Sequence, residues 1–140
     1  MIEKIEHAGC LFALIVRHTY DKAGITFFTP GELSQQLGYM RHPVGKIIEP
    51  HVHNPVRREV HYTQETLFIK RGALRADFYD SQQTYLESRI LEAGDVLLLI
   101  QGGHGFEVLE EVSMFEIKQG PYAGDHDTTR FKGTVPQTAI

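Results

Sequence analysis

Short apolar or alternating runs, five to eight residues long, recur along the whole chain, and turn residues stand between many of them. Ten can be marked: residues 11–18, 24–28, 33–40, 46–51, 66–70, 73–80, 85–91, 95–100, 105–109 and 113–119. The punctuation is Thr29-Pro30-Gly31, Arg71-Gly72, Asp80-Ser81, Ala93-Gly94-Asp95 and Gln101-Gly102-Gly103. Strands at this spacing predict an all-β sandwich or barrel. No long stretch carries the 3.6-residue apolar period of an amphipathic helix. At most a helical turn is allowed at Thr29, which has the chemistry of an N-cap with Pro30 following at the first position.

A chain of 140 residues is one domain by length, long enough to bury a core unaided. Its 41% apolar and 23% charged residues exclude a disordered chain. A net charge of -4 makes a nucleic-acid partner unexpected, because phosphate neutralisation needs clustered Lys and Arg. Cys10 is the single cysteine, so an internal disulfide framework and a cysteine-based zinc cluster are both excluded, and a reducing compartment is expected. The first ten residues, MIEKIEHAGC, do not read as a signal peptide, and the longest apolar runs are too short for a membrane helix. The expected location is the cytoplasm, with no membrane partner.

Two stretches carry chemistry. In the first, His51 and His53 flank one residue, and on a strand two such side chains point to one face. Two imidazoles so placed can converge on one metal ion. Glu65 opens the run TLFIKRG, where Glu65, Leu67 and Ile69 share a face. A carboxylate drawn towards an apolar interior needs a partner, a metal or a raised pKa. In the second stretch, Gly94-Asp95 turns into a buried strand and Gln101-Gly102-Gly103 turns the chain back. His104 then shares a face with Phe106 and Val108.

These residues resemble the two motifs of the cupin superfamily. Gly45, five residues, then His51-Val52-His53 match the first half of the first motif, and Glu65, six residues, then Gly72 match its second half. Eleven residues separate His53 from Glu65, where the family usually has three or four. Gly94-Asp95, Gly102 and His104 match the second motif, with Ile100 in place of proline and one residue fewer before His104. The resemblance covers about residues 35–120. It implies a jelly-roll barrel, a double-stranded β-helix, with the remaining segments of the 1–140 domain packed on it. It implies one divalent transition metal (Fe, Mn, Ni, Zn, Co or Cu) held by His51, His53, Glu65 and His104. A second alignment of the same motif, Glu59-x-His61-x3-Glu65, puts Glu59 in place of the first histidine.

The inserted loop, residues 54–64, also holds Arg57 and Arg58. Either is able to clamp a carboxylate or phosphate of a substrate, while Glu59, His61 or a tyrosine is expected to move a proton. The chain is similar to stand-alone cupins found among polysaccharide and nucleotide-sugar biosynthesis proteins. An isomerase or epimerase acting on a sugar-like or carboxylate-bearing metabolite fits that setting. A metal-dependent oxygenase and a non-catalytic ligand-binding module are the alternatives. A metal-free epimerase would need Asp77 or Asp95 beside a histidine. A homodimer is expected, because open barrels leave edge strands that need cover.

Overall fold

The computed structural model describes every residue from Met1 to Ile140. The chain is all-β, with eight strands and a single short 3-10 turn. No helix is long and apolar enough to cross a membrane. By contact the chain divides into two compact units, Met1–Tyr20 with Tyr62–Ile140, and Asp21–His61.

In the first unit one antiparallel sheet curls into a half-barrel. Its strands are β1 (Ile2–His7), β2 (Cys10–Val16), β5 (Glu65–Tyr79), β6 (Tyr85–Glu92), β7 (Val96–Leu99) and β8 (Gly103–Lys118). β1 and β2 form a hairpin closed by Ala8 at φ 51° and Gly9 at φ 76°. Two positive φ values in a two-residue loop match the right-handed twist of the flanking strands. Glycine adopts this freely, whereas Ala8 does so at a cost.

β5 is the spine. One of its edges takes β7 along Glu65–Phe68 and β6 along Ala73–Tyr79, and β8 runs along the other edge from end to end. Alternation decides the inner face. Leu67, Ile69, Leu74, Ala76 and Phe78 of β5 are buried with Ile5, Phe12, Ala13, Ile15, Leu91, Leu97 and Leu99 in one apolar cluster. β2 is buried on both faces over its last five residues, as its uniformly apolar sequence Phe-Ala-Leu-Ile-Val requires.

The sequence marks Arg71-Gly72 as a turn between two strands; it is instead a bend inside one. The β5–β8 register shifts three times between Ile69 and Leu74. Gly72 sits at φ 85°, and a Cβ there would lie 2.0 Å from the Glu111 carbonyl oxygen. Only glycine lets the two backbones approach so closely while the extra residues of the bulges sharpen the curl. Runs 66–70 and 73–80 thus merge into β5, and runs 105–109 and 113–119 merge into β8. β1, too polar to stand out, joins the sheet through pairing with β2.

A buried ion-pair network ties the first strands to the β6–β7 turn. Asp95, fully buried, accepts from the backbone N–H of His18 at 2.8 Å, that of Glu92 at 2.8 Å, and Arg17 Nη1 at 2.9 Å. Arg17 also donates to Glu3 at 2.6 Å and to the Ile90 carbonyl at 2.7 Å.

In the second unit β3 (Gly24–Phe27) and β4 (Gly38–Arg41) pair antiparallel. Asp21 holds this hairpin through Arg41 Nε at 2.9 Å and the Tyr39 hydroxyl at 3.2 Å. The helical turn allowed at Thr29 is a turn only, closed by Leu33 N–H to the Pro30 carbonyl at 3.2 Å. The expected strand at 46–51 is not formed; residues 42–61 contain no strand.

Candidate functional site

Glu65 opens β5 and pairs across the sheet with Lys118 of β8 on one side and Leu99 of β7 on the other. Directly opposed residues share a face, so Glu65 and Lys118 lie on the side that carries Leu67 and Ile69. Leu67 pairs with Glu116, which extends the same face. At the far end of the ribbon His104 pairs with Phe78, also a core residue. Glu65 and His104 therefore stand at opposite ends of two long strands, on one face.

The curl brings those ends together. His104 Nε2 lies 3.6 Å from Glu65 Oε2, with the two side chains 31% and 12% exposed. Lys118 Nζ lies 4.0 Å from the other Glu65 oxygen. Burial pushes the Glu65 pKa up, a shared hydrogen bond with Glu116 and its charge push it further, and it reaches about 7. Lys118 opposes the rise and does not cancel it. Burial lowers the His104 pKa and Lys118 lowers it further, while Glu116 pulls the other way. The neutral imidazole is thus the favoured form, which leaves one ring nitrogen with a lone pair. A buried carboxyl short of positive charge beside a neutral imidazole is a ready place for a cation.

His51 and His53 belong to the second unit. They are exposed and do not sit on a strand, yet their rings stand 5.3 Å apart at 69°. His51 Nδ1 meets the Glu49 carbonyl at 2.9 Å. A carbonyl only accepts, so Nδ1 carries a proton and donates it to Glu49. That is how a metal-binding histidine is oriented by the groups behind it. Imidazole nitrogen and carboxylate oxygen are donors of the kind a divalent transition metal takes. Nowhere in the chain do three or more His, Cys, Asp or Glu side chains gather as one metal-sized group. Glu59 and His61 are both 78% exposed, 3.8 Å apart. Arg57 and Arg58 are exposed as well.

Glu116, Lys118 and Asp127 surround Glu65 without having been singled out from the sequence. Asp127, in the 3-10 turn Gly124–Asp127, lies 3.6 Å from Lys118 Nζ and adds its charge to the forces raising Glu65. Their alternation along β8 is visible, but not which strand faces β8, because β5 and β8 are far apart in sequence. Asp95 does stand beside a histidine, His18, at 3.2 Å. Its oxygens are filled by Arg17 and two backbone amides, so it anchors a turn. Asp77 bonds Arg75 at 2.7 Å and Ser88 at 2.6 Å rather than a histidine.

No protein-family model, curated protein or solved structure matches the chain.

Proposed function

We propose that this chain is a small metal-dependent enzyme of the cupin type. Its substrate would be a polar, sugar-like or carboxylate-bearing metabolite, and its reaction an isomerisation or epimerisation. The observation that carries the reading is the meeting of Glu65 and His104. They stand where the resemblance puts the acid of the first motif and the histidine of the second, and they approach to 3.6 Å on one face of a curled sheet. In this proposal His51 and His53 supply the other two protein donors, and the half-barrel is part of a jelly roll. A divalent ion held there would act as a Lewis acid on a substrate carbonyl or enediolate oxygen.

The chain's own residues do the rest. Glu65 neutralises part of the cation's charge. His104, whose pKa is lowered by partial burial, offers nitrogen rather than a competing positive charge. Arg57 or Arg58 binds an anionic group of the substrate, where a bidentate bond fixes orientation. His61 or Glu59 moves the proton at the carbon next to the carbonyl. A two-fold dimer belongs to the same proposal. β8 pairs only with β5 and exposes Phe115 and Ile117, an apolar edge of the sort natural proteins cover.

Metal analysis of protein purified without added metal tests the reading. One ion per chain is expected, with content at least tenfold lower in His104→Ala, Glu65→Gln and His51→Ala. A chain that retains no metal and takes up none of Mn, Fe(II), Co, Ni, Cu or Zn defeats the proposal. The reaction class is read separately, as solvent deuterium entering sugar substrates next to the carbonyl. Tight ligand binding with no exchange would identify a binding module instead. Sedimentation at twice 15.9 kDa supports the dimer, and at the monomer mass removes it.

A further inference from the structure

A flat ribbon as long as β8, 16 residues, would hold its ends roughly 50 Å apart. Yet Glu65 and His104, from its two ends, lie 3.6 Å apart. The bulges around Gly72 permit that curl, but a bend of this size also needs something at the rims to keep them from parting. One rim is Thr63 to Glu65 with Lys118, where Gln119 N–H bonds the Gln64 carbonyl at 2.9 Å. The other is Phe78 and Tyr79 with Gly103 and His104.

The segment after β8 touches both. Asp127 accepts a hydrogen bond from the Thr63 hydroxyl and lies 3.6 Å from Lys118 Nζ, on the first rim. Four residues on, the Phe131 ring packs edge-on against Tyr79, with centroids 5.0 Å apart at 89°, on the second rim. Close approach is built in there. A Cβ on Gly103 would lie 3.0 Å from the Phe131 ring, and one on Gly133 would lie 2.2 Å from the Tyr79 hydroxyl. Four residues span at most about 14 Å. With both anchors engaged, the rims cannot separate much beyond that.

We infer that residues 124–133 form a clasp, with Asp127 and Phe131 as positioning residues that hold Glu65 against His104. Its functional meaning rests on the proposed site: releasing the clasp separates two ligands and disassembles that site without unfolding the sheet. The clasp itself is a statement about the metal-free protein.

The test uses the metal-free full chain with Phe131→Ala, Asp127→Asn and the double variant. Tyr122→Ala, an exposed position ahead of the clasp, is the control. Hydrogen-bonded amides at residues 103–105 and 116–118 should exchange at least tenfold faster in the double variant. Those of β1 and β2 should stay within twofold of wild type, and the control should match wild type throughout. The His104 ring resonances should move towards those of Glu65→Gln. Rim exchange within twofold of wild type overturns the clasp, and so does acceleration spread evenly over the sheet, which marks a general stabiliser. With metal, the double variant should bind about tenfold more weakly. A wild type that binds no metal defeats the proposed function and leaves the clasp to the exchange data.

Discussion

Two buried carboxylates in this sheet each face a histidine, and their surroundings set them apart. Asp95 lies 3.2 Å from His18, and Glu65 lies 3.6 Å from His104. Burial alone would raise both pKa values. At Asp95 the backbone N–H groups of Glu92 and His18, then Arg17, outweigh burial and hold the carboxyl below its ordinary value. At Glu65 the largest influence after burial is another carboxyl, Glu116, and the pKa climbs to about 7. The first acid is saturated with donors and fastens a turn. The second has only Lys118, 4.0 Å away, set against its burial and a neighbouring carboxyl, and is costly to ionise. A carboxylate beside a histidine is therefore not itself a sign of function; the balance of donors around it is.

The sharpest way to break this comparison is to remove each acid in turn. Asp95→Ala leaves the His18 and Glu92 amides without their acceptor and takes from Arg17 one of its two carboxylates, so unfolding in urea should show a loss of about 3–5 kcal/mol, at about 1–3 kcal/mol for each donor left unpaired. Glu65→Gln removes a poorly compensated buried acid and should leave the metal-free protein as stable or slightly more stable. Equal losses at both sites would erase the distinction.

The next effect is ligand-dependent. A divalent ion at a hundredfold excess over its Kd should stabilise the wild type by about 2.7 kcal/mol. Thermal unfolding should show that gain retained in Asp95→Asn and lost in Glu65→Gln and His104→Ala. A gain that survives Glu65→Gln would place the ion elsewhere.

The two acids should also give opposite dependence on pH. Asp95 has a folded pKa below its unfolded value, so its contribution is complete above about pH 4 and is lost as pH falls further. Glu65 has a folded pKa above its unfolded value, so its contribution is complete below about pH 4 and is lost as pH rises through about 7. His104, with its pKa lowered, works against Glu65 over part of that window. The measurement is therefore a difference. Relative to wild type, Glu65→Gln should gain stability between about pH 5 and 7, and Asp95→Asn, less stable than wild type at neutral pH, should close that gap only as pH falls below about 4. Urea midpoints that move in parallel for all three proteins would show that neither acid is perturbed.

The smallest effect separates backbone strain from charge in the anchored region. Ala8 holds φ 51° beside Gly9 in the β1–β2 turn. Ala8→Asn, better suited to that conformation, should add about 0.5–1 kcal/mol without altering either pH response. No gain would mean that the strain is relaxed elsewhere.

The sequence alone determined the strand class, most strand positions, and the inward set of Glu65, Leu67 and Ile69, because alternation is a local property of a chain that buries one face. It also brought out Glu65 and His104 as partners, through spacing that resembles a known pair of motifs. Tertiary structure decided what local pattern does not encode. Arg71-Gly72 has the residues of a turn, and only the opposing Glu111 carbonyl made it a bulge in a continuous strand. His51 and His53 have strand spacing, yet residues 42–61 have no strand neighbour to supply hydrogen bonds. The register of β5 against β8 placed Glu116 and Lys118 at Glu65, and the C-terminal segment added Asp127. Which residues surround a carboxylate is a long-range fact, set by how sharply a sheet curls. Its charge state therefore had to wait for the fold.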